Sequence, residues 1–210
     1  MSEPTDFPSA TVRGFLDQVA ARTPAPSGGA ACAVAVGTAA ALVAMAARFS
    51  TKQLPDADRL AASADELRAE ALPLADADAE VYGELLAASR DKGPGHQERF
   101  TEACRAACDV PLRMADTAVR VAELAERVGT EGNPNLRGDA YTAVMLCSAA
   151  AESAAVLVEI NTRAGNLRNE RARRATDHTL AVARAVAALR EDLGPPSASE
   201  SGRAARPSPE

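Results

Sequence analysis

Pro24-Ala25-Pro26-Ser27-Gly28-Gly29, running on into AACAVAVGTAAALVAMAA at Ala30–Ala47, is the stretch that decides how this chain folds. Two prolines and two adjacent glycines make a tight turn, and no charged residue follows until Arg48. A helix that is apolar all round has no solvent face, so it belongs at the centre of a helical bundle. Its small side chains let neighbouring backbones come close. The glycine pair at its start leaves free N–H groups that an anion or another ligand can approach. The run is also long enough to cross a membrane. Alanine inserts weakly, aromatic belts are absent and the rest of the chain reads as soluble amphipathic helix, so a bundle core is expected, with no membrane partner.

Composition points the same way. A chain of 210 residues can bury a substantial core as one domain. Aromatic residues make up only 3% and tryptophan is absent, which suits closely spaced helices better than a β-sandwich. The formal net charge of −6 argues against a general nucleic-acid binder. An anionic ligand would need a local cluster of arginine or lysine. Met1–Ala10 lacks a basic start followed by an apolar run, so no signal peptide is expected and the compartment is expected to be the cytoplasm. Cys32, Cys104, Cys108 and Cys147 all fall in alanine-rich helical contexts. Cys104 and Cys108 share a helix face, but no histidine lies nearby to complete a zinc spacing. Buried reduced thiols are expected, and no metal site.

Outward from the decisive stretch, the pattern is helical almost throughout. Val12, Phe15, Leu16 and Val19 at i, i+3, i+4, i+7 predict an amphipathic helix over Thr11–Arg22. Asp56–Ser89 reads as helical, capped by Asp56 or Asp58 and kinked or split at Pro73. Glu98–Val128 predicts a long helix with a kink at Pro111 and its end at Gly129, and Gly132-Asn133-Pro134-Asn135 is a turn. Asp139–Asn161 is a further apolar helix, followed by a basic one over Asn169–Leu193 that carries His178 on a polar face. The fold expected is all-α, an antiparallel up-and-down helical bundle over residues 11–193. It lies between an N-terminal tail, 1–10, and a polar, proline-rich tail, 194–210, that is expected to be disordered.

Within this pattern a few residues stand out. Leu74, Asp78, Val81 and Leu85 form an inward stripe, so Asp78 takes a position where an apolar side chain is expected. Asp76, about 200° round the helix, falls with Glu80 on the wet face. An inward carboxylate is costly unless it is paired or functional. Tyr82, one turn on, is positioned to donate to it. Lysine is almost unused: Lys52 and Lys92 are the two lysines, both in connectors, against 23 basic residues in all. Such sparing use suggests places where an ammonium rather than a guanidinium is wanted, although chance also leaves two. Asp139 reads either as an ordinary N-cap or as a functional carboxylate. Asn161 lies ~33 Å from it on a straight helix. Both serve one site only if the helix breaks or the site is shared across a dimer.

Three blocks in order, FLDQVAARTPAPSGGAACAVAVGTAAALVAMAARFS, LADADAEVYGELLAA and GNPNLRGDAYTAVMLCSAAAESAAVLVEIN, resemble the cyclodeaminase/cyclohydrolase family. That family includes the C-terminal domain of formiminotransferase-cyclodeaminase and stand-alone methenyltetrahydrofolate cyclohydrolases. The resemblance implies a helical bundle that forms a homodimer and acts on the one-carbon unit of tetrahydrofolate, with no cofactor beyond the folate substrate. It implies Asp78 as the catalytic carboxylate and Lys52 as proton donor or positioner. It further implies Asp139 on the guanidine-like edge of the pterin, Gly28 and Gly29 beneath the ring, and Tyr82, Lys92, Asn133, Asn135 and Asn161 as substrate contacts.

The chain departs from the family in four places. Its turn reads Pro26-Ser27-Gly28-Gly29-Ala30 where Pro-Gly-Gly-Gly-Ser is common. Ser50-Thr51-Lys52-Gln53-Leu54 replaces a lysine-rich loop, Gly138 replaces a serine, and Leu157 replaces the first asparagine of an Asn-x-x-x-Asn pair. A diverged enzyme for another amidine- or imine-like substrate, and a non-catalytic binding or scaffold protein, are the alternative readings.

Overall fold

The computed structural model describes residues 6–193. A 3-10 turn at Phe7–Ser9 precedes α1 (Val12–Val19), α2 (Gly28–Arg48), α3 (Ala57–Ala71), α4 (Leu74–Arg90) and α5 (His96–Glu131). A second 3-10 turn at Pro134–Leu136 leads to α6 (Arg137–Ala164) and α7 (Glu170–Leu193). Among the described residues there is no strand, as the sequence predicts. The tail expected over 194–210 lies outside them.

The charge-free run is α2, and it packs against α3, α4, α5 and α6. Ala30, Ala33, Val36, Ala40, Val43 and Ala47 are wholly buried. Both α2 and α6 are long and apolar enough to cross a membrane by composition, but most of α2 is buried inside the bundle. Alanine's lack of bulk is what lets so many helices surround one. At Gly37 a neighbouring helix comes close: an added Cβ would lie 2.8 Å from a methyl carbon of Leu72 at the end of α3. The predicted 56–89 helix is two helices parted at Pro73, whose ring lacks the N–H that the hydrogen-bond ladder needs and crowds the preceding turn. Asp56 does not cap α3 with its side chain. Its carboxylate instead accepts from both terminal guanidinium nitrogens of Arg127, at 2.9 and 2.8 Å.

Two other boundaries differ from expectation for a physical reason. α5 contains Pro111, as expected of the long helix, but it begins at His96 and runs past Gly129 to Glu131. Gly129 does not end the helix. It makes room at a crossing, where an added Cβ would come within 2.5 Å of Leu189 on α7 and 3.1 Å of Ala140 on α6. α1 is shorter than Thr11–Arg22, and of its apolar stripe only Phe15 is buried, while Val12 is 79% exposed and Leu16 57%. The packed body starts at Phe7 rather than Thr11. Phe7 is 4% exposed, its ring meets Phe15 edge-on at 6.2 Å, and its N–H donates to Asp76 at 2.9 Å. Asp76 is therefore half-buried and engaged, not on a free wet face.

The long helices run up and down. α5 packs along α6, and α7 closes against both. His178 lies partly buried with an unpartnered Nε2, not on an open polar face. At one end of the bundle the Ser50 hydroxyl donates to Ala46 O at 2.7 Å and accepts from Asn133 N–H at 2.9 Å, tying the C-terminus of α2 to the α5–α6 turn. At the other end the Asn161 amide donates to Ala107 O at 2.9 Å, tying α6 to α5 beside the N-terminus of α2.

Candidate functional site

The start of α2 has an unusual cap. Ser27 holds the N-cap position with extended backbone, yet its side chain bonds none of the helix's own N–H groups. The first N–H groups of a helix need an acceptor and favour negative charge. Asp78 from α4 supplies both, accepting from the Ala30 backbone N–H. The Ser27 hydroxyl donates to Asp78 Oδ2 at 3.2 Å. Asp78 is 7% exposed, and burial pushes its carboxyl above the ordinary aspartate range, against the opposing pull of Ser27 and Ala30.

Gly29 makes this placement possible. A Cβ there would fall on the carboxylate of Asp78, far inside contact distance, so only hydrogen at that position leaves room. Gly28 has open space within 4 Å and faces a cleft of about 260 Å³ lined also by Ser27, Asp78, Tyr82, Pro111 and Asn161. Through Gly28 and Leu157 the cleft joins a shallower apolar groove of about 530 Å³ between α2 and α6, along Ala31, Cys32, Ala35 and Ser153. A partly hidden carboxylate with a raised affinity for protons, at the wall of a mostly apolar cleft, can stabilise a cationic ligand and exchange a proton with it.

Of the residues singled out in the sequence, Asp78, Gly28, Gly29, Tyr82 and Asn161 are brought together here. Tyr82 makes no hydrogen bond to Asp78. It stands at the rim, 37% exposed, and Ser27 is the side-chain donor instead. Lys52, Asn133, Asn135 and Asp139 gather at the far end of α2, ~30 Å away by the length of that helix. Lys52 and Asp78 thus do not share a site within one chain. At that far end Lys52 is exposed, and Asn133 donates from Nδ2 to Phe49 O at 3.1 Å and accepts the Asn135 N–H at 3.1 Å. Asp139 is not an N-cap. α6 begins at Arg137 with Leu136 as its cap, and Asp139 sits half-buried in the first turn. Lys92 is exposed in the loop after α4.

Sequence reasoning missed Ser27, whose signal was a hydroxyl directly before a glycine pair. The structural role of Asp76 was missed too. The cysteines match expectation: all four are free and buried, and burial pushes the Cys147 thiol up to about 12. No group of three metal-ligating side chains occurs among the described residues. A larger concavity of about 440 Å³, lined by Glu70, Asp109, Arg113, Asp116 and Arg174, contains none of the candidate residues.

The sequence profile described as formiminotransferase-cyclodeaminase matches residues 11–189. A methenyltetrahydrofolate cyclohydrolase of Methylorubrum extorquens is 28% identical over 165 residues, 73% of this chain and 79% of the relative. The crystal structure of a formiminotetrahydrofolate cyclodeaminase from Thermotoga maritima superposes with a TM-score of 0.80 at 24% identity. That likeness covers 89% of this chain and 96% of the other, and it speaks for the fold.

Proposed function

The chain belongs to the formiminotransferase-cyclodeaminase family, and on that premise we propose that Asp78 is the reacting carboxylate of a 5,10-methenyltetrahydrofolate cyclohydrolase. The observation that carries this reading is the buried carboxylate at the cleft wall, which pairs with the Ser27 hydroxyl and with no cationic side chain among the described residues. A methenyl bridge is a delocalised amidinium cation, so it supplies the counter-charge that Asp78 lacks.

Water adds to the bridging carbon and forms a tetrahedral carbon bearing N5, N10 and a hydroxyl. Asp78 takes the proton released by the water as that bond forms. The C–N5 bond then breaks as the hydroxyl gives up its proton to become the formyl oxygen and N5 takes up a proton, and the formyl group stays on N10. One water is consumed and one proton is released overall. Formimino chemistry passes through a similar tetrahedral carbon, with N10 as nucleophile and ammonia as leaving group, and is the second activity to assay. The reading needs no cofactor beyond the folate and places the enzyme in the cytoplasm.

A homodimer completes the proposal. The two clusters of candidate residues sit at opposite ends of α2 and α6, and the face between those ends is apolar. Met145, Val156 and Ile160 on α6 are exposed there, beside Ala31 and Ala35 on α2. A two-fold axis across this face sets the Lys52 end of one copy against the Asp78 end of the other, twice over. The pairing also roofs the apolar groove, leaving a channel for the rest of the folate.

Mixing the purified protein with methenyl- and with formimino-tetrahydrofolate and following absorbance tests the reading. Catalysed loss of the methenyl chromophore is expected. Turnover of formimino-tetrahydrofolate alone would make it a cyclodeaminase, and turnover of neither would move the search to other substrates with a C=N bond.

A further inference from the structure

Ser27 sits where serine ordinarily bonds the second or third N–H of its own helix. It forgoes that bond and turns its hydroxyl to a residue 51 positions away, donating to Asp78 Oδ2 at 3.2 Å. The exchange is reciprocal. Asp78 caps α2 through the Ala30 N–H, and the residue displaced from capping steadies Asp78 in return. The carboxylate is then fixed on three sides: Gly29 beneath it, the Ala30 N–H at one oxygen's reach, and the Ser27 hydroxyl on Oδ2. Of these, Ser27 is the one side-chain donor among the described residues, and it also lines the cleft.

We propose that Ser27 is the positioning residue for Asp78, orienting its carboxylate toward the cleft. The inference rests on the reading of Asp78 as the reacting group, and it names a residue that the glycine turn of this chain supplies in place of a further glycine. Removing the hydroxyl leaves the backbone cap at Ala30 in place. The carboxylate then loses the hold on Oδ2 and gains freedom to turn about its side-chain bonds, and its charged form has one donor fewer. A hydroxyl that donates to a carboxylate favours the ionised form, so its loss makes Asp78 harder to ionise.

The test compares Ser27→Ala and Ser27→Thr in the full-length protein. The first readout is the titration of the Asp78 carboxyl carbon by NMR, assigned with Asp78→Asn. It does not depend on turnover. The second is kcat/KM for methenyltetrahydrofolate as a function of pH. Ser27→Ala is expected to raise the pH at which Asp78 titrates and to move the acidic limb of the rate profile the same way. Its kcat at neutral pH should fall by ~10-fold, the scale of a hydrogen bond to a charged group, with KM little changed. Ser27→Thr, which keeps a hydroxyl, should restore both readouts. An Asp78 titration unchanged in Ser27→Ala overturns the proposal whatever the rates do. A titration that moves while the rate profile stays fixed supports Ser27 as the residue that holds Asp78 and overturns Asp78 as the reacting group.

Discussion

A carboxylate lying directly on a glycine makes the glycine as telling as the carboxylate. Gly29→Ala places a methyl group where Asp78 now sits, while alanine is the better helix former by roughly 1 kcal/mol. Forcing extra volume into a buried site costs about 1–3 kcal/mol and outweighs that gain, so the variant should melt below its parent, and it should lose ~10²-fold in turnover, because a displacement of about an ångström costs that much at a reacting group. Thermal melting and turnover of the same preparation check this. Burial also sets the pH behaviour of Asp78. With its carboxyl raised, the folded protein holds this proton more tightly than the unfolded chain does. The stability it contributes is thus full below the unfolded carboxylate range and is lost as pH rises through the raised value. At neutral pH an ionised Asp78 is a net cost, so Asp78→Asn is expected to raise Tm. A fall in Tm would mean that the charge on the α2 cap outweighs desolvation. That Asp78 points inward was legible from its place in the stripe Leu74, Asp78, Val81, Leu85. Its donor was not, because Ser27 lies on a different element and periodicity speaks only of neighbours on the same helix.

At the scale of elements, the charge-free run found α2, apolar patterning found the other long helices, and breaker residues found most of the turns. Pro73 parts α3 from α4 as its chemistry requires, and the charge-free run is the buried centre. What a given glycine is for was not legible. Gly129 reads as a terminator in one dimension, but in three it is the point where Leu189 and Ala140 crowd α5. The same limit applied to Asp76, whose exposed-face reading ignored a segment arriving from elsewhere in the chain. Its carboxylate pins the N–H of Phe7. Asp76→Ala should cost about 1 kcal/mol, the net worth of one such bond. In a chain of this size that is a Tm lower by roughly 2–4 °C. Asp76→Asn keeps an acceptor oxygen and should lose less, and thermal denaturation at neutral pH distinguishes the two. Turnover should change little in either.

For the whole molecule, the separation of candidate residues is the informative fact. Asp78, Tyr82 and Asn161 stand at one end of the bundle, and Lys52, Asn133 and Asp139 stand at the other. No bend in α2 or α6 brings them together, since both helices are continuous. Sequence spacing already gave Asp139 and Asn161 as too far apart for one straight helix, so this conflict was legible. Its resolution requires a surface, and surfaces are not written in spacing. If two copies complete each other, Asp78→Asn and Lys52→Met should each be nearly inactive alone. Co-expressed at equal levels they should recover about a quarter of parental activity, because half the dimers are mixed and each of those holds one intact site. Absence of any recovery, or full activity of Lys52→Met alone, would count against a shared site.

One carboxylate carries the proposed chemistry. The direct measurement is the initial rate of methenyltetrahydrofolate hydrolysis by Asp78→Asn beside that of the parent, with circular dichroism to show that both are folded. The account predicts a fall of ~10²-fold or more, the usual scale for a lost acid–base group. A folded Asp78→Asn variant that hydrolyses methenyltetrahydrofolate at the parental rate would contradict it.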